Sequence, residues 1–359
     1  MKSFKYILLL ALISFLHFAW ACTGLQLKAK DGTAISGRTV EFGMNLDLSG
    51  LIIPRGYPLK GSLPDGGVGM NYKAKYAAVG GALFGEIAIA DGMNEKGLSV
   101  GAFYFPDYAD YAEITPQNKD KALSPTEFPT WIVTQFATVD EVRQALNAVV
   151  IVPTIPKGWP ALPPFHYVVY DKAGKSITIE PIHGQLKVYD NPLGVLTNSP
   201  TFDWQITNLA NYINLSPINT LPVNIEGVQL KQFGQGSGMH GLPGDFTPPS
   251  RFVRAAIFAS SAVPQGNGEQ TVLQVFHILN QFDIPYGAVR EVEHGTVFPE
   301  YTLATVVRDP QNLKYYFKTY DDQSIKFIDL KAFDVNTKKV KMISMKGGQQ
   351  LFDISQTAG

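Results

Sequence analysis

Apolar and polar positions alternate through Cys22-Thr-Gly-Leu-Gln-Leu-Lys28, Asp31-Gly32 marks a tight turn, and Thr33 to Phe42 resumes extended character. The pattern predicts an amino-terminal hairpin with Cys22 at a strand end. Extended text continues through Tyr76–Ile89, the Asn94-Glu-Lys-Gly97 turn and Leu98–Phe105. Two helices are predicted next, Pro125–Ala137 behind Ser124 as a cap, and Val139–Val149. The proline-rich stretch Pro153–Pro164 reads as a surface crossing. A second block of strands is predicted over 165–171, 175–181, 185–190 and 193–197. Phe202–Ile213, Arg251–Ser261 and Thr271–Phe282 have helical spacing, Gly234–Pro249 is a long polar loop, and strands near 299–308, 313–319 and 325–329 close the chain.

Strands, paired helices, strands, paired helices and strands again predict an α+β architecture of two sheets stacked between helical layers. No linker, fixed-period repeat or low-complexity tract divides residues 22–359, so they are expected to form a single domain.

The residues before this block read as a cleavable secretion signal. Lys2 and Lys5 give a basic start, Tyr6–Phe18 an apolar stretch, and Ala19-Trp20-Ala21 a small-x-small cleavage pattern. Cleavage after Ala21 would make Cys22 the first residue of an exported, periplasmic or secreted, protein. It would also place a thiol and a free α-amine on one residue. That amine, with an intrinsic pKa of roughly 7.7–8.0, can take the thiol proton, and the thiolate can then attack a carbonyl. Three other readings compete. A lone buried cysteine, chemically inert, is the first. An acylated lipoprotein cysteine is a second, although Ala19 stands where an aliphatic residue is usual. An uncut membrane anchor is a third, but the apolar run is shorter than the ~20 residues a span requires.

Composition narrows the classes. Cys22 is the only cysteine in 359 residues, so no internal disulfide can form. The formal charge is −1, and −3 without residues 1–21, which gives no electrostatic case for nucleic acid or an anionic membrane surface. The six histidines show no metal-ligand spacing, and no phosphate-binding glycine loop is present.

Polar residues cluster at predicted strand ends and loops. Arg38 and Glu41 lie on the second arm of the hairpin, where Arg38 can return beside Cys22 and favour its thiolate; a surface ion pair between the two is the plainer alternative. Asn198 follows the apolar strand 193–197, as an oxyanion donor or an ordinary turn residue before Pro200. Arg251 opens a helix and can point at a site while Arg254 faces solvent.

Five ordered blocks then resemble the choloylglycine hydrolase family of N-terminal nucleophile hydrolases. They are Cys22-Thr-Gly with Gly37-Arg-Thr-Val-Glu41, Gly92-Met-Asn-Glu-Lys-Gly-Leu98, Phe103-Tyr-Phe-Pro106, the run from Asp190 through Thr197-Asn-Ser-Pro200 to Trp204, and Leu242-Pro-Gly-Asp245 with Ser250-Arg-Phe-Val-Arg254. The resemblance implies a four-layer αββα fold and hydrolysis of a linear, non-peptide amide without a cofactor. It implies Cys22 as nucleophile with its α-amine as base, Arg38 supporting the thiolate, Asn198 donating to the oxyanion and Arg251 supporting the charged centre. Glu41 stands where many members have aspartate. Phe42 replaces a common tryptophan, and Tyr104 takes a position where acylases tend to have tyrosine and bile salt hydrolases asparagine, so both are expected to line the substrate pocket. The leader and these departures resemble the Gram-negative branch. A penicillin V acylase-like specificity is therefore expected, with a conjugated bile salt hydrolase or acyl-homoserine lactone acylase as alternatives. From another class, a non-catalytic exported binding protein or lipoprotein would use the same scaffold. The partners implied are a small-molecule acyl amide and further copies of the chain, as a tetramer, with no nucleic acid and no membrane insertion after signal cleavage.

Overall fold

A computed structural model of the chain describes residues 21–293 and 295–355; nearly all of the proposed leader, residues 1–20 with His17, and also His294 lie outside the described residues. Two antiparallel sheets lie at the centre. The first runs in the order Cys22–Lys28, Ala34–Phe42, Thr296–Asp309, Lys314–Thr319 and Asp322–Asp329, and Val289–Glu293 pairs with the outer part of the long strand. The second has eight strands in the order Gln185–Asp190, Ser176–Ile182, Phe165–Tyr170, Ser99–Tyr104, Asp91–Asn94, Ala78–Ala82, Ser49–Ile53 and Lys341–Ser344.

Side chains alternate across each strand, so each sheet has two faces to bury. Neighbouring residues on the long strand show how both are filled. Val306 joins Val79, Met93 and Tyr315 between the sheets. Val307 faces the helical layer with Leu25, Ile35, Val275 and Leu279. That layer is made by α4 (Pro248–Ser261) and α5 (Gly268–Leu279), flanked by α3 (Phe202–Asn208). On α5, Thr271, Val272, Val275, Phe276 and Leu279 are buried at helical spacing, each large apolar residue contributing about 1.5–3 kcal/mol. A Cβ on Gly37 would lie 2.6 Å from Val275 Cγ1 and 2.9 Å from Val306 O, so only glycine lets α5 pack this closely. On the far side α1 (Glu127–Gln135) and α2 (Val139–Ala145) cover the second sheet. The result is the αββα sandwich.

Several elements differ from the pattern reading. Tyr76–Ile89 is not one strand, because Ala78–Ala82 ends in a turn where Phe84 and Gly85 both adopt positive φ (52° and 69°). Residues 193–197 form only a bridge, with Leu196 and Gly24 exchanging two backbone hydrogen bonds of 2.7 and 3.1 Å. Helix α4 begins at Pro248, whose missing N–H costs nothing in a first turn. Helices α2 and α3 end earlier than expected and run on as single 3-10 turns. The 153–164 crossing is not wholly on the surface, since Trp159 is buried with its ring edge-on to Phe84 and Phe165.

Candidate active site

Hairpin register places the first site residues. Cys22 pairs with Val40 and Gly24 with Arg38, so Cys22 and Arg38 are diagonal neighbours on one face of the sheet. Arg38 is buried, and its guanidinium lies 4.1 Å over the Phe103 ring. It donates from Nη2 to Cys22 Sγ at 2.7 Å, from Nε to Thr39 O at 3.1 Å and from Nη1 to Ala102 O. The two acceptor carbonyls belong to different sheets and hold the cation against the sulfur. Gly24 makes room for this stack, because a Cβ there would meet Phe103 Cζ at 2.6 Å.

The Cys22 thiol is 1% exposed in the uncut chain. Burial pushes its pKa up; Arg38 opposes this, Glu41 adds to it, and Arg251 and the Tyr104 backbone N–H again favour the thiolate. The Cys22 nitrogen is here a peptide N–H and stands where a free α-amine would be after cleavage. It donates to Asn198 Oδ1 at 2.9 Å. The Ala21 carbonyl accepts from the Glu41 N–H at 3.0 Å.

Asn198 and Arg251 close the other side. Arg251, in the first turn of α4, donates from Nη2 to Asn198 Oδ1 at 2.6 Å, from Nη1 to Thr23 Oγ1 at 2.9 Å and to Cys22 O, and from Nε to Phe246 O at 2.8 Å. Burial works against its charge, while Glu41, Cys22 and Glu300 favour it. Two donors on Oδ1 fix the Asn198 amide, and Nδ2 donates to Tyr104 O at 2.7 Å. One Nδ2 hydrogen is left for another acceptor. Asn198 itself is held by its neighbours. Thr197 O lies 3.0 Å from His166 Nε2, and His166 Nδ1 lies 3.2 Å from Glu180 Oε1, all of them buried.

Glu41 is fully buried and forms no ion pair with Arg38, so the surface-pair alternative fails. Its Oε1 sits 3.5 Å from Thr302 Oγ1, and burial raises its pKa to about 8. Tyr104 and Phe42 are both buried, at 7% and 1% exposure, and belong to the cluster beneath α1 and α2, with Tyr104 edge-on to Phe165 at 6.5 Å. Arg254 does not face solvent as expected. It is 6% exposed, holds the carbonyls of Pro243 and Asp245 at 2.8 and 2.6 Å, and so ties down the loop that precedes α4. The pattern reading also passed over Glu300 and the His166–Glu180 pair, for which no local sequence signal exists.

One cavity, of about 790 Å³, is lined by Tyr72, Glu86, Thr126, Glu127 and Ile155 among others and includes none of these residues. Among the described residues no group of three or more His, Cys, Asp and Glu side chains can hold a metal ion. The arrangement therefore offers a buried thiol under a guanidinium, a nitrogen on a fixed carboxamide, and N–H donors beside the sulfur. These are the parts of nucleophilic acyl transfer.

Comparison with known proteins agrees with this chemistry. The model of the linear amide C–N hydrolases, choloylglycine hydrolase family, matches residues 22–343. A bile salt hydrolase/transferase from Clostridium perfringens is 34% identical over 323 residues, covering 89% of this chain and 95% of the relative. The crystal structure of a mutant conjugated bile acid hydrolase from the same species superposes with a TM-score of 0.84 at 31% identity, over 93% of this chain and all of the other. A penicillin V acylase from Pectobacterium atrosepticum is 27% identical over 319 residues, 84% of this chain and 78% of the relative. With the αββα sandwich and this site, the chain belongs to the choloylglycine hydrolase family and is an amidohydrolase acting on non-peptide C–N bonds in linear amides.

Proposed function

We propose that the chain, once a leader ending at Ala21 is removed outside the cytoplasm, hydrolyses the amide of a conjugated bile salt with Cys22 as nucleophile. The observation that carries the chemistry is the 2.7 Å approach of Arg38 Nη2 to Cys22 Sγ inside a buried site. The thiolate adds to the acyl carbonyl carbon. The resulting oxyanion takes hydrogen bonds from Asn198 Nδ2 and the Tyr104 backbone N–H. The α-amine, carrying the thiol's proton, passes it to the leaving nitrogen as the C–N bond breaks, which leaves a thioester. Water, deprotonated by the same amine, splits the thioester, and the thiol is regenerated. Arg251 keeps Asn198 and the Cys22 carbonyl in place. No cofactor enters the sequence of steps.

The substrate class is supported by the relatives: those named for bile salts are more similar, and over more of this chain, than the penicillin V acylase. A second reading, penicillin V acylase-like with phenoxyacetyl or fatty-acyl amides, is favoured by Tyr104 and Phe42. Their aromatic faces suit a flat ring or a flexible chain. The test is kcat/KM for glycocholate, penicillin V and a long-chain acyl-homoserine lactone under one condition. Glycocholate leading by tenfold or more supports the first reading. Penicillin V or the lactone leading by that margin replaces it with the second.

A homo-oligomer, as a tetramer, belongs to the same proposal. The hairpin Val223–Ile225 with Val228–Leu230 and its flanks expose Ile213, Leu221, Val223, Val228 and Phe233 by more than half, and large apolar side chains left exposed in such number suit an interaction surface. Light scattering on the mature protein should return four chain masses; one chain mass contradicts it.

A further inference from the structure

The turn that carries Asn198 is gripped on both flanks by one buried pair of side chains. Tyr167 and Ile179 pair in register on adjacent strands of the second sheet, and His166 and Glu180 stand one residue beyond them on a shared face. Neither side chain has any exposed surface. His166 Nε2 lies 3.0 Å from Thr197 O, and Nδ1 lies 3.2 Å from Glu180 Oε1, which also accepts the Phe202 N–H at 2.9 Å. Thr197 and Phe202 bracket Asn198-Ser-Pro-Thr201. The imidazole is stacked on Phe105, with centroids 4.3 Å and planes 6° apart, and meets Phe103 edge-on at 6.3 Å.

The partners dictate where the hydrogens sit. Thr197 O can only accept, so His166 Nε2 carries a hydrogen. Nδ1 and Oε1 face each other and hold one more proton between them. On nitrogen it makes an imidazolium with a carboxylate, and on oxygen two neutral groups. The pair is neutral overall either way, which suits its complete burial, and Glu180 keeps the Nε2 hydrogen in place. The segment needs such an anchor, because residues 193–197 join the first sheet only through the Leu196–Gly24 bridge. Thr197 Oγ1 and Ser199 Oγ add single bonds to Pro248 O and Pro106 O, at 3.1 and 2.6 Å.

We infer that His166 is a positioning residue for the oxyanion site. Through Thr197 O, and with Glu180 through the Phe202 N–H, it fixes the backbone of Asn198 so that the second Nδ2 hydrogen points at the oxygen of the acyl group. The inference rests on the Cys22 chemistry proposed above. The hydrogen bonds of His166 and Glu180 run to Thr197, Phe202 and each other, and not to Cys22 or Arg38. Support of the oxyanion and support of the thiolate are therefore separable.

The experiment compares the wild type with two variants, each with a free Cys22, at pH 7. His166→Phe keeps a ring on Phe105 and removes both hydrogen bonds; His166→Gln can still offer an N–H to Thr197 O. kcat and KM are measured on the best of the three amides. The rate of Cys22 alkylation by iodoacetamide reports on the thiolate without forming an oxyanion. Removing an oxyanion donor outright costs about 10²–10³ in kcat, and a misaimed donor should cost His166→Phe ten- to hundredfold, with KM within threefold and alkylation within twofold of the wild type. His166→Gln should return to within threefold of the wild-type kcat. A loss in His166→Phe of less than tenfold, alkylation falling in step with kcat, or a His166→Gln no better than His166→Phe overturns the inference. If His166→Phe does not fold because Glu180 is left buried alone, His166→Phe combined with Glu180→Leu removes that charge and carries the same expectation. Failure of both to fold assigns the pair to stability alone and overturns the inference too. A wild type that is alkylated but turns over no amide would instead refute the hydrolase reading.

Discussion

Replacing Arg38 by Met keeps much of the apolar stem and removes the guanidinium, and with it the stack on Phe103. The guanidinium charge is spread over atoms whose mean separation from Sγ is about 4 Å, and at an effective dielectric of about 20 two unit charges there interact by about 4 kcal/mol. That corresponds to about 10³ in the ratio of thiolate to thiol; half of it, after water enters the vacated space, still gives about 30-fold. Met also leaves the Thr39 and Ala102 carbonyls without the donors they have now, at about 1–3 kcal/mol each, so Tm falls as well. Because Cys22 is the only cysteine, iodoacetamide reports on this thiol without background. Arg38→Met should be alkylated at least 30-fold more slowly than the wild type at pH 7, read well below both melting points. A rate within threefold of the wild type would refute the idea that Arg38 sustains the thiolate.

The remaining predictions concern the nucleophile, the amine and the buried acid. Cys22→Ala should lose all turnover with its melting curve intact, and Cys22→Ser should keep little; near-normal hydrolysis by the alanine variant contradicts the mechanism. A protein retaining one extra residue before Cys22 should fold but be inactive, and full activity in a preparation shown by mass spectrometry to keep that residue would mean another group is the base. Glu41 has a folded pKa raised from the ordinary carboxyl range to about 8. The stability linked to it is therefore complete below about pH 4.5 and lost as pH rises through about 8. Tm of the wild type should decline across that window and the decline should be shallower in Glu41→Gln; identical slopes would place the acid elsewhere.

The amino-terminal hairpin was legible because its apolar and polar residues alternate and Asp31-Gly32 closes a turn of fixed geometry. Its register alone brings Arg38 to Cys22. Ser49–Ile53 and Ala78–Ala82 were harder, since strands covered on both faces lose alternation, and Ala-Val-Gly-Gly-Ala is buried at every position. Asn198 and Arg251 stood out as polar residues at a predicted strand end and helix start, with plainer readings open, and the motif resemblance gave them their roles. The contact between Arg251 and the Cys22 carbonyl spans 229 residues and is created only when α4 packs on the first strand. Glu300 left no trace in the sequence, because an acidic residue between Pro299 and Tyr301 is indistinguishable from a surface one until the sheet buries it. Arg254 misled because a helical arginine reads as solvent-facing until the preceding loop folds over it, although its i,i+3 spacing already places it on the same face as Arg251.

The central claim is that amide cleavage passes through Cys22. Its most direct test is to quench the mature enzyme during turnover of a slow acyl amide and map the adduct by mass spectrometry. The account predicts one acyl group, in thioester linkage, on a peptide that begins with an otherwise unmodified Cys22, and none in Cys22→Ala. Turnover with no acyl group on Cys22, or an acyl group on any other residue, would contradict it.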